Sequence, residues 1–367
     1  MSNEIELKQL YNKVAELIDL ARKKVATTVN LTMVHTYFEI GRMIVEEEQQ
    51  GKERAKYGKT ILKILSKQLT EKFGKGFSEQ NLRNMRQFFQ VYSDRLNYEK
   101  ASRNLQTANN DTNNQLSSIC QKPSTKFKNF TLSWSHYIVL MRIENPAERS
   151  FYEIEATKEN WSEPQLKRQY HSSLYERLAL SRNKEEVLKL ATEGQIVVKP
   201  EDILKNPLSL EFLGIDEKSK YSESNIEQSI INKIQYFLLE LGKGFLFEAR
   251  QKRFTFDNEH FFVDLVFYNR LLQCYVLIDL KIDALTHQDL GQMQMYVNYY
   301  DRYQKQDFEK PSIGILLCKK KNNALVELTL PKDANIYASE YSLYLPDKEL
   351  LQQKLAEWIH EFENSKN

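Results

Sequence analysis

Cysteine is nearly absent from this sequence of 367 residues. The three cysteines, Cys120, Cys274 and Cys318, are widely spaced and odd in number. Their spacing therefore indicates neither a disulfide framework nor a zinc site. The sequence also lacks an apolar run long enough to cross a bilayer, and no signal peptide opens it. We expect a cytoplasmic protein without a membrane partner.

An excess of charge of one sign is also missing. Lysine and arginine total 52 against 50 acidic residues, which leaves a formal net charge of +2. A nucleic-acid partner would therefore have to be held by local basic patches and not by the charge of the whole chain. Hydrophobic residues make up 41% of the sequence, which is enough to build cores for about two domains.

Proline and glycine are absent from residues 260–282, HFFVDLVFYNRLLQCYVLIDLKI. This stretch is rich in Phe, Val, Leu, Ile and Tyr, which favour strands. It predicts two β-strands, residues 260–268 and 273–282, joined by a turn into a hairpin. The hairpin contains most of the chemically informative residues of the chain.

Side chains alternate between the two faces of a strand, so parity decides which residues meet. Asp279 and Lys281 share one face of the second strand, and Asp264 points away from the apolar face of the first. If residues 269–272 form the connection, Asp264 lies opposite Leu277 and diagonal to Asp279, about 7 Å away. Two carboxylates and a lysine are therefore expected to converge on one side of the hairpin.

Two carboxylates that lie close together repel unless a cation sits between them. Mg²⁺ is bound by one or two carboxylates and takes a substrate phosphate as a further ligand. We predict Asp264, Asp279 and the backbone carbonyl of Leu280 as ligands of Mg²⁺, with Mn²⁺ as an alternative. Lys281 can orient or deprotonate a water, or stabilise charge on a phosphate, which indicates metal-assisted phosphodiester hydrolysis. Taken alone, a D-x-K tripeptide more often forms a surface salt bridge.

Two predicted helices flank the hairpin. Residues 222–242 have apolar residues at helical spacing, with Glu227 at the margin of the apolar stripe. Glu227 is either an ordinary boundary residue or a third acid at the metal. Residues 287–304 place Gln292 and Tyr296 four apart and hence on one helical face. Such a pair alone is weak evidence, since a tyrosine on a helix usually serves packing.

In this order the segments resemble the PD-(D/E)XK nucleases, in particular the branch with a Q-x-x-x-Y helix, and most closely the YhcG-type nucleases. The resemblance spans about residues 221–330. It implies an α+β protein whose C-terminal restriction-endonuclease-like domain is a mixed sheet flanked by helices, with a metal site formed by the hairpin. Two departures from the superfamily pattern are Val263 in place of proline and Asp279 where glutamate is commoner.

The same resemblance implies roles for individual residues. It assigns Asp264 and Asp279 to the metal and Lys281 to catalysis, and it adds Glu227, Gln292 and Tyr296 as accessory residues of the catalytic site. DNA is the implied substrate.

A second informative stretch is basic. Residues 51–77 contain eight lysines and arginines against two acids. Residues 60–72 are periodic as a helix, FGKGF turns the chain, and Ser78 can cap a second helix through Tyr92. This is the layout of a helix-turn-helix motif.

The exposed side chains of this motif are of the types that contact phosphates and base edges. We predict that nucleic acid is bound by Lys59, Lys63, Lys75, Gln80, Arg83, Asn84 and Gln87. The alternative is a plain helical hairpin with a solvated basic face. The DNA-binding interpretation is favoured because YhcG-type proteins have a similar N-terminal region.

These patterns predict a domain plan. Residues 1–183 form a helical DNA-binding domain, in which the polar residues 93–125 are a flexible insertion. Residues 184–220 are a connector, and residues 221–367 form the nuclease domain. Beyond the Q-x-x-x-Y helix we predict strands over 312–319 and 324–330 and a last helix over 347–363.

The sequence therefore predicts a metal-dependent nuclease that cuts DNA. Two alternatives stay open: a catalytically inactive DNA-binding or assembly protein, and an RNA-directed nuclease. Cleavage of both strands of a duplex would favour a homodimer.

Overall fold

The computed structural model describes residues 28–49, 54–93, 130–180, 184–205, 207–215, 221–321, 323–331 and 334–364. Residues 1–27 of the predicted helical domain and nearly all of the predicted insertion 93–125 lie outside these ranges. Contacts between residues divide the chain into two compact units, residues 1–149 and 150–367. The predicted domain boundaries follow sequence motifs and stay a prediction.

The first unit is helical. Its helices are α1 (28–49), α2 (Arg54–Phe73), α3 (Glu79–Tyr92) and α4 (Trp134–Leu140). The predicted cap is present, since the Ser78 hydroxyl accepts a hydrogen bond from the Asn81 backbone N–H at 3.2 Å. Gly74 and Gly76, with φ of 81° and 120°, turn the chain between α2 and α3. Left-handed backbone is inexpensive only for glycine, which explains the FGKGF sequence.

The core of this unit forms on the inner face of α3. Leu82, Met85 and Phe88 are fully buried, whereas Phe89, which the periodicity places inward, is only half-buried. Phe88 lies at the centre of an aromatic cluster with Phe130, 4.8 Å between ring centroids, and Tyr137, 5.0 Å. Aromatic packing therefore adds to the aliphatic core of Ile44, Leu62, Leu82 and Met85.

The second unit is built on a mixed six-stranded sheet, as the family resemblance implies. Its strand order is β1-β6-β5-β4-β3-β2. The strands are β1 (Leu208–Ser209), β2 (Phe245–Phe256), β3 (Glu259–Asn269), β4 (Cys274–Ala284), β5 (Ile313–Lys320) and β6 (Ile336–Ser342). β2, β3 and β4 pair antiparallel, and β4, β5, β6 and β1 pair parallel.

Helices pack on both faces of this sheet. The helices of the second unit are α5 (Pro146–Lys158), which begins just before residue 150, α6 (Glu163–His171), α7 (Leu174–Leu180), α8 (Lys184–Glu193), α9 (Glu223–Asn232), α10 (Ile234–Leu241), α11 (His287–Tyr303), α12 (Asn323–Thr329) and α13 (Lys348–Asn364). α9 and α10 share one apolar core with β3 and β4, and α11 shares the other. None of the helices in the described ranges is long and apolar enough to span a bilayer.

Several predicted elements need correction. The predicted strand over 324–330 is wrong, because residues 323–329 form α12. β5 and β6 are parallel neighbours, and parallel strands require a crossover, which is usually helical. The true sixth strand, β6, and the edge strand β2 were not predicted. The predicted helix over 222–242 is broken at Lys233, whose φ is −123°, into α9 and α10.

A buried ionic cluster ties α6, α7 and α10 to β1. Glu240 is completely buried and accepts a hydrogen bond from Arg177 Nη1 at 2.5 Å and from the Ser209 backbone N–H at 2.9 Å. Burial alone would raise the pKa of Glu240, but the charges of Arg177, Lys205 and Arg168 outweigh it and hold the pKa at about 2. The carboxylate therefore stays ionised inside the unit.

The close approach of α11 to the sheet depends on Gly314 in β5. A Cβ at this position would lie 2.6 Å from Met293 Cγ and 3.0 Å from Val297 Cγ2 of α11. Both distances are shorter than ordinary van der Waals contact. A side chain at residue 314 would therefore push α11 away from the sheet.

We expect Gly314→Ala to lower the free energy of unfolding by about 1–3 kcal/mol because of this overpacking. Gly291→Ala is the matched control, since a Cβ there meets no atom within 4 Å. It should raise stability by about 0.5–1 kcal/mol, because alanine is the better helix former. Urea unfolding followed by circular dichroism measures both changes. Equal stability of the two variants would contradict the close contact between α11 and β5.

Candidate active site

The hairpin of β3 and β4 determines how the two predicted metal ligands meet. Leu265 pairs with Ile278 and Val266 with Leu277, with residues 270–273 as the connection. Continuing this register by one residue places Asp264 directly across from Asp279. The predicted register was therefore wrong by two residues. Because the shift is even, the predicted face is unchanged, and both carboxylates are on the side of the sheet that α11 covers.

Asp264 is half-buried, and each of its carboxylate oxygens accepts a hydrogen bond. Its Oδ2 accepts a hydrogen bond from the Leu280 backbone N–H at 2.8 Å, and its Oδ1 accepts one from Gln251 Nε2 at 2.8 Å. The Leu280 side chain is fully buried in the core on the other face. Only the backbone of Leu280 therefore reaches the site.

Asp279 is 3% exposed. Its Oδ2 atom is buried and has no hydrogen-bond partner among the described residues, although Lys281 Nζ lies 2.9 Å away as an ion-pair partner. Burial raises the pKa of Asp279 to about 7, and the neighbouring Asp264 carboxylate adds to the rise against the opposing charge of Lys281. Ionising this carboxylate is therefore unfavourable without a further cation.

Lys281 lies among three carboxylates. Besides Asp279, its Nζ is 3.8 Å from Asp289 and 4.0 Å from Glu223. Burial acts to lower the pKa of Lys281, but the negative charge of the neighbouring Asp279 outweighs it, so the pKa is raised above its ordinary value. Lys281 is thus a fixed positive charge at neutral pH.

Glu227 of α9 reaches the same place from the other side of the hairpin. It is 3% exposed, and its Oε2 accepts a hydrogen bond from Gln251 Nε2 at 2.6 Å. Its Oε1 accepts one from Arg250 Nε. Because Gln251 also donates to Asp264, a single amide links the two acids. Gln251 has a φ of 45°, a strained value for a non-glycine residue in a strand.

The Q-x-x-x-Y helix is α11, which Thr286 caps by accepting from the Asp289 backbone N–H. The exposed Gln292 side chain donates to the hydroxyl of Tyr296, which is 1% exposed. Burial, followed by the negative charge of Asp279, raises the pKa of Tyr296 to about 12. Tyr296 therefore stays neutral beside the carboxylates.

The structure thus brings together the predicted residues of the hairpin, α9 and α11. Four others were missed: Gln251 and Arg250 on β2, Glu223 on α9 and Asp289 on α11. β2 was not predicted as a strand, so Gln251 had no place beside Asp264. Asp289 and Glu223 lie in the first turns of their helices, a common position for an acid, so the sequence carries no signal that singles them out.

The residues present fit a hard divalent cation. Within the described ranges, no group of three or more His, Cys, Asp or Glu side chains is arranged to hold a metal ion. Mg²⁺ does not need such a group, because it uses one or two carboxylates and keeps several waters. Asp264 and Asp279 supply two carboxylates on facing strands, and the buried Asp279 Oδ2 lacks a hydrogen bond.

The predicted nucleic-acid-binding residues lie in the first unit. Lys59 is in α2. Lys63, Lys75, Gln80, Arg83 and Gln87 are exposed and Asn84 is half-buried. Gln80 donates to Asn84 at 3.1 Å, and Arg83 forms an ion pair with Glu79 at 3.4 Å. Gln87 donates to the Met141 carbonyl at 3.3 Å, so its amide is partly engaged within the protein.

Two family models match this chain. The model of the YhcG PDDEXK nuclease domain matches residues 201–356, and that of the DUF1016 N-terminal domain matches residues 13–177. The chain is 37% identical over 359 residues to the "Putative nuclease YhcG" of Escherichia coli (strain K12), which covers 95% of this chain and 93% of that protein.

Two solved structures are also similar, each over 36% of this chain and 50% of the other. One is a repair endonuclease from Pyrococcus abyssi, with 18% identity and a TM-score of 0.24. The other is an EndoMS–dsDNA2 complex, with 15% identity and a TM-score of 0.25. These likenesses are too weak to bear on function.

The raised pKa of Asp279 leads to a stability test. Its folded-state pKa of about 7 lies above the ordinary value, so the wild type loses stability as pH rises towards 7 and keeps the full penalty above it. In EDTA at pH 8.5 we expect Asp279→Asn to be more stable than the wild type by about 2–4 kcal/mol. At pH 4 the difference should vanish. Urea unfolding at both pH values measures this.

Asp307→Asn is the control, because Asp307 is exposed and outside the site. It should track the wild type at both pH values. If Asp279→Asn is no more stable than the wild type at pH 8.5, burial does not penalise the ionised carboxylate.

Proposed function

This chain belongs to the YhcG family of PD-(D/E)XK nucleases, and on that premise we propose that it hydrolyses phosphodiester bonds of DNA in a reaction that requires Mg²⁺. The observation that supports this most strongly is the pairing of Asp264 with Asp279 on facing strands beside Lys281. Like charges placed directly opposite each other destabilise a sheet. A cation bound between the two carboxylates offsets their repulsion.

In this proposal Asp264, Asp279 and the backbone of Leu280 hold the metal, with Mn²⁺ as an alternative to Mg²⁺. When bound, the metal supplies Lewis-acid stabilisation of charge on the phosphate. Gln251 keeps the Asp264 carboxylate in place from one side, and the Leu280 N–H does so from the other. Such preorganisation lowers the cost of reorganising the site during reaction.

Lys281 acts as a cation in this proposal. Its raised pKa favours stabilising negative charge on the phosphate and orienting the attacking water over accepting a proton. Asp279, Glu223 and Asp289 hold the ammonium group in position from three directions. Gln292, exposed on α11 next to Tyr296, is available to contact the substrate.

The first unit is proposed to bind the DNA through a helix-turn-helix formed by α2 and α3. The exposure of Lys63, Lys75, Gln80 and Arg83 supports this, as does the basic composition of residues 51–77. Lysines would contact phosphates, and Arg83 and Gln80 would face base edges. We retain the boundaries at residues 183 and 220 and a cytoplasmic location as parts of the proposal. Cleavage of both strands would favour a homodimer.

We expect purified protein to cut plasmid DNA with Mg²⁺ or Mn²⁺ and not with EDTA. Asp264→Asn, Asp279→Asn and Lys281→Met should each lower the cleavage rate at least ~100-fold, because each removes a charge that acts on the reacting phosphate. Asp307→Asn should cleave like the wild type. Comparing circular and linear plasmid on agarose gels measures the rates and separates endonuclease from exonuclease action.

Other outcomes favour the alternatives. A wild type that binds DNA with Mg²⁺ or Mn²⁺ but never cuts it supports the inactive DNA-binding or assembly protein. Cleavage of RNA alone supports the RNA-directed nuclease. An unchanged cleavage rate in Asp279→Asn would contradict the proposed active site.

DNA binding by the first unit has its own test. Lys63→Ala and Lys75→Ala should weaken binding to all sequences and each reduce the salt slope of log K by ~1, because each lost phosphate contact releases one counterion fewer. Arg83→Ala should weaken binding as well. Arg142→Ala, an exposed arginine of the same unit outside α2 and α3, is the control. Fluorescence anisotropy of labelled duplex at several salt concentrations gives both quantities, and equal values for all four variants would contradict the proposal.

A further inference from the structure

A cavity lies on the side of α11 next to β2. Its volume is about 320 Å³, at the small end of the ~300–1,000 Å³ found for small-molecule sites. It is lined by Phe254, Phe256, Gly291, Gln294, Met295, Asn298, Tyr299, Arg302 and Tyr303. None of these side chains takes part in the contacts among the carboxylates and Lys281 described above.

The walls of this cavity are aromatic. Phe254 and Tyr299 are stacked with 4.0 Å between ring centroids and an interplanar angle of 19°. Phe256 and Tyr303 are 55% and 60% exposed. Both rings belong to the lining of one cavity, and exposed apolar side chains that cluster in this way can mark a ligand-binding groove. A flat aromatic ligand can therefore stack against them without any rearrangement of the core.

The polar groups of the cavity are few and incompletely paired. Gln294 Nε2 donates to Asn298 Oδ1 at 3.2 Å. The buried Gln294 Oε1 has no hydrogen-bond partner among the described residues. Arg302 is exposed on the same lining. The cavity thus combines flat aromatic walls with a positive charge and few polar groups.

The cavity and the candidate active site share a wall. Phe254 meets Tyr296 edge to face, with 5.6 Å between ring centroids. The negative charge of Asp279 in turn contributes to the raised pKa of Tyr296. Gly291, in the cavity lining, directly precedes Gln292 in α11. The cavity therefore adjoins the candidate active site, with Tyr296 between Phe254 and the carboxylates.

Resting on the proposed function, we propose that this cavity binds one unpaired base of the substrate strand, and that the nuclease acts on DNA that is single-stranded or locally unpaired. A base supplies the flat face that stacks against the aromatic walls. The backbone phosphate of the same nucleotide complements Arg302. A paired base inside a duplex has neither face free.

The test uses full-length Lys281→Met protein with Mg²⁺, which retains both carboxylates and in which we expect cleavage to be lost. The probe is a single-stranded DNA oligomer with one 2-aminopurine, whose fluorescence falls when the base stacks. We expect quenching on binding. Phe256→Ala and Tyr303→Ala should each weaken binding about fivefold to a hundredfold, the usual effect of removing one stacking partner.

Gly291→Leu tests the cavity by filling it. A Cβ at residue 291 meets no atom within 4 Å, so the helix accepts the side chain and the fold should be retained. We expect loss of quenching and weaker oligomer binding at an unchanged or higher melting temperature. Phe308→Ala is the matched control, since Phe308 is 72% exposed and outside the cavity. Binding of a fully paired duplex should be equal in all variants.

The outcomes separate this inference from the proposed function. If DNA is cut by the wild type but Phe256→Ala, Tyr303→Ala and Gly291→Leu bind the oligomer like the control, the base-binding cavity is wrong and the nuclease proposal stands. If the wild type neither binds nor cuts DNA, both fail together. Quenching by an RNA oligomer alone, or occupation of the cavity by a protein partner alone, would also overturn the inference.

Discussion

The pairing of β3 with β4 is the constraint around which the second unit is arranged, because it places Asp264 across from Asp279. Two facing carboxylates in a largely buried position are unfavourable on their own. Neighbouring hydrogen-bond donors and a lysine offset part of this unfavourable repulsion. Gln251 on β2 and the backbone of Leu280 donate to Asp264, and Lys281 neutralises part of the charge of Asp279. The donors come from β2 and β4, so the arrangement requires β2, β3 and β4 together.

The helices contribute by holding this sheet in a fixed shape. α11 packs closely because Gly314 leaves room for Met293 and Val297, and this closeness brings Tyr296 to the carboxylates. On the other face, the ionised Glu240 joins α10 to Arg168 and Arg177 of α6 and α7. A buried charge of this kind is well tolerated only while its partners remain in place. The geometry of the site therefore rests on contacts well away from it.

Local patterns were sufficient to predict the hairpin, the cap at Ser78, α11 and the face shared by Asp264, Asp279 and Lys281. The face was predicted correctly although the register was wrong, because a shift of the strand pairing by two residues leaves each side chain on the same face of the sheet. β2 was missed because its charged side chains, FLFEARQKRFTF, hide the strand pattern of an exposed edge. The error at residues 323–329 arose because an apolar alternation of that length suits helix or strand, and only the parallel neighbours β5 and β6 decide. Gln251 depends on β2 and so could not be assigned.

The buried cluster at Glu240 also bears on how such proteins can be recombined during evolution. A hybrid chain joined after residue 183 would exchange α6 and α7 for foreign helices and leave Glu240 buried without Arg168 and Arg177. A crossover near residue 149, at the boundary between the two compact units, would keep the cluster whole. When N-terminal regions are exchanged between such proteins, we therefore expect the junction to lie before the helices of the ionic cluster, and not where the nuclease motifs begin.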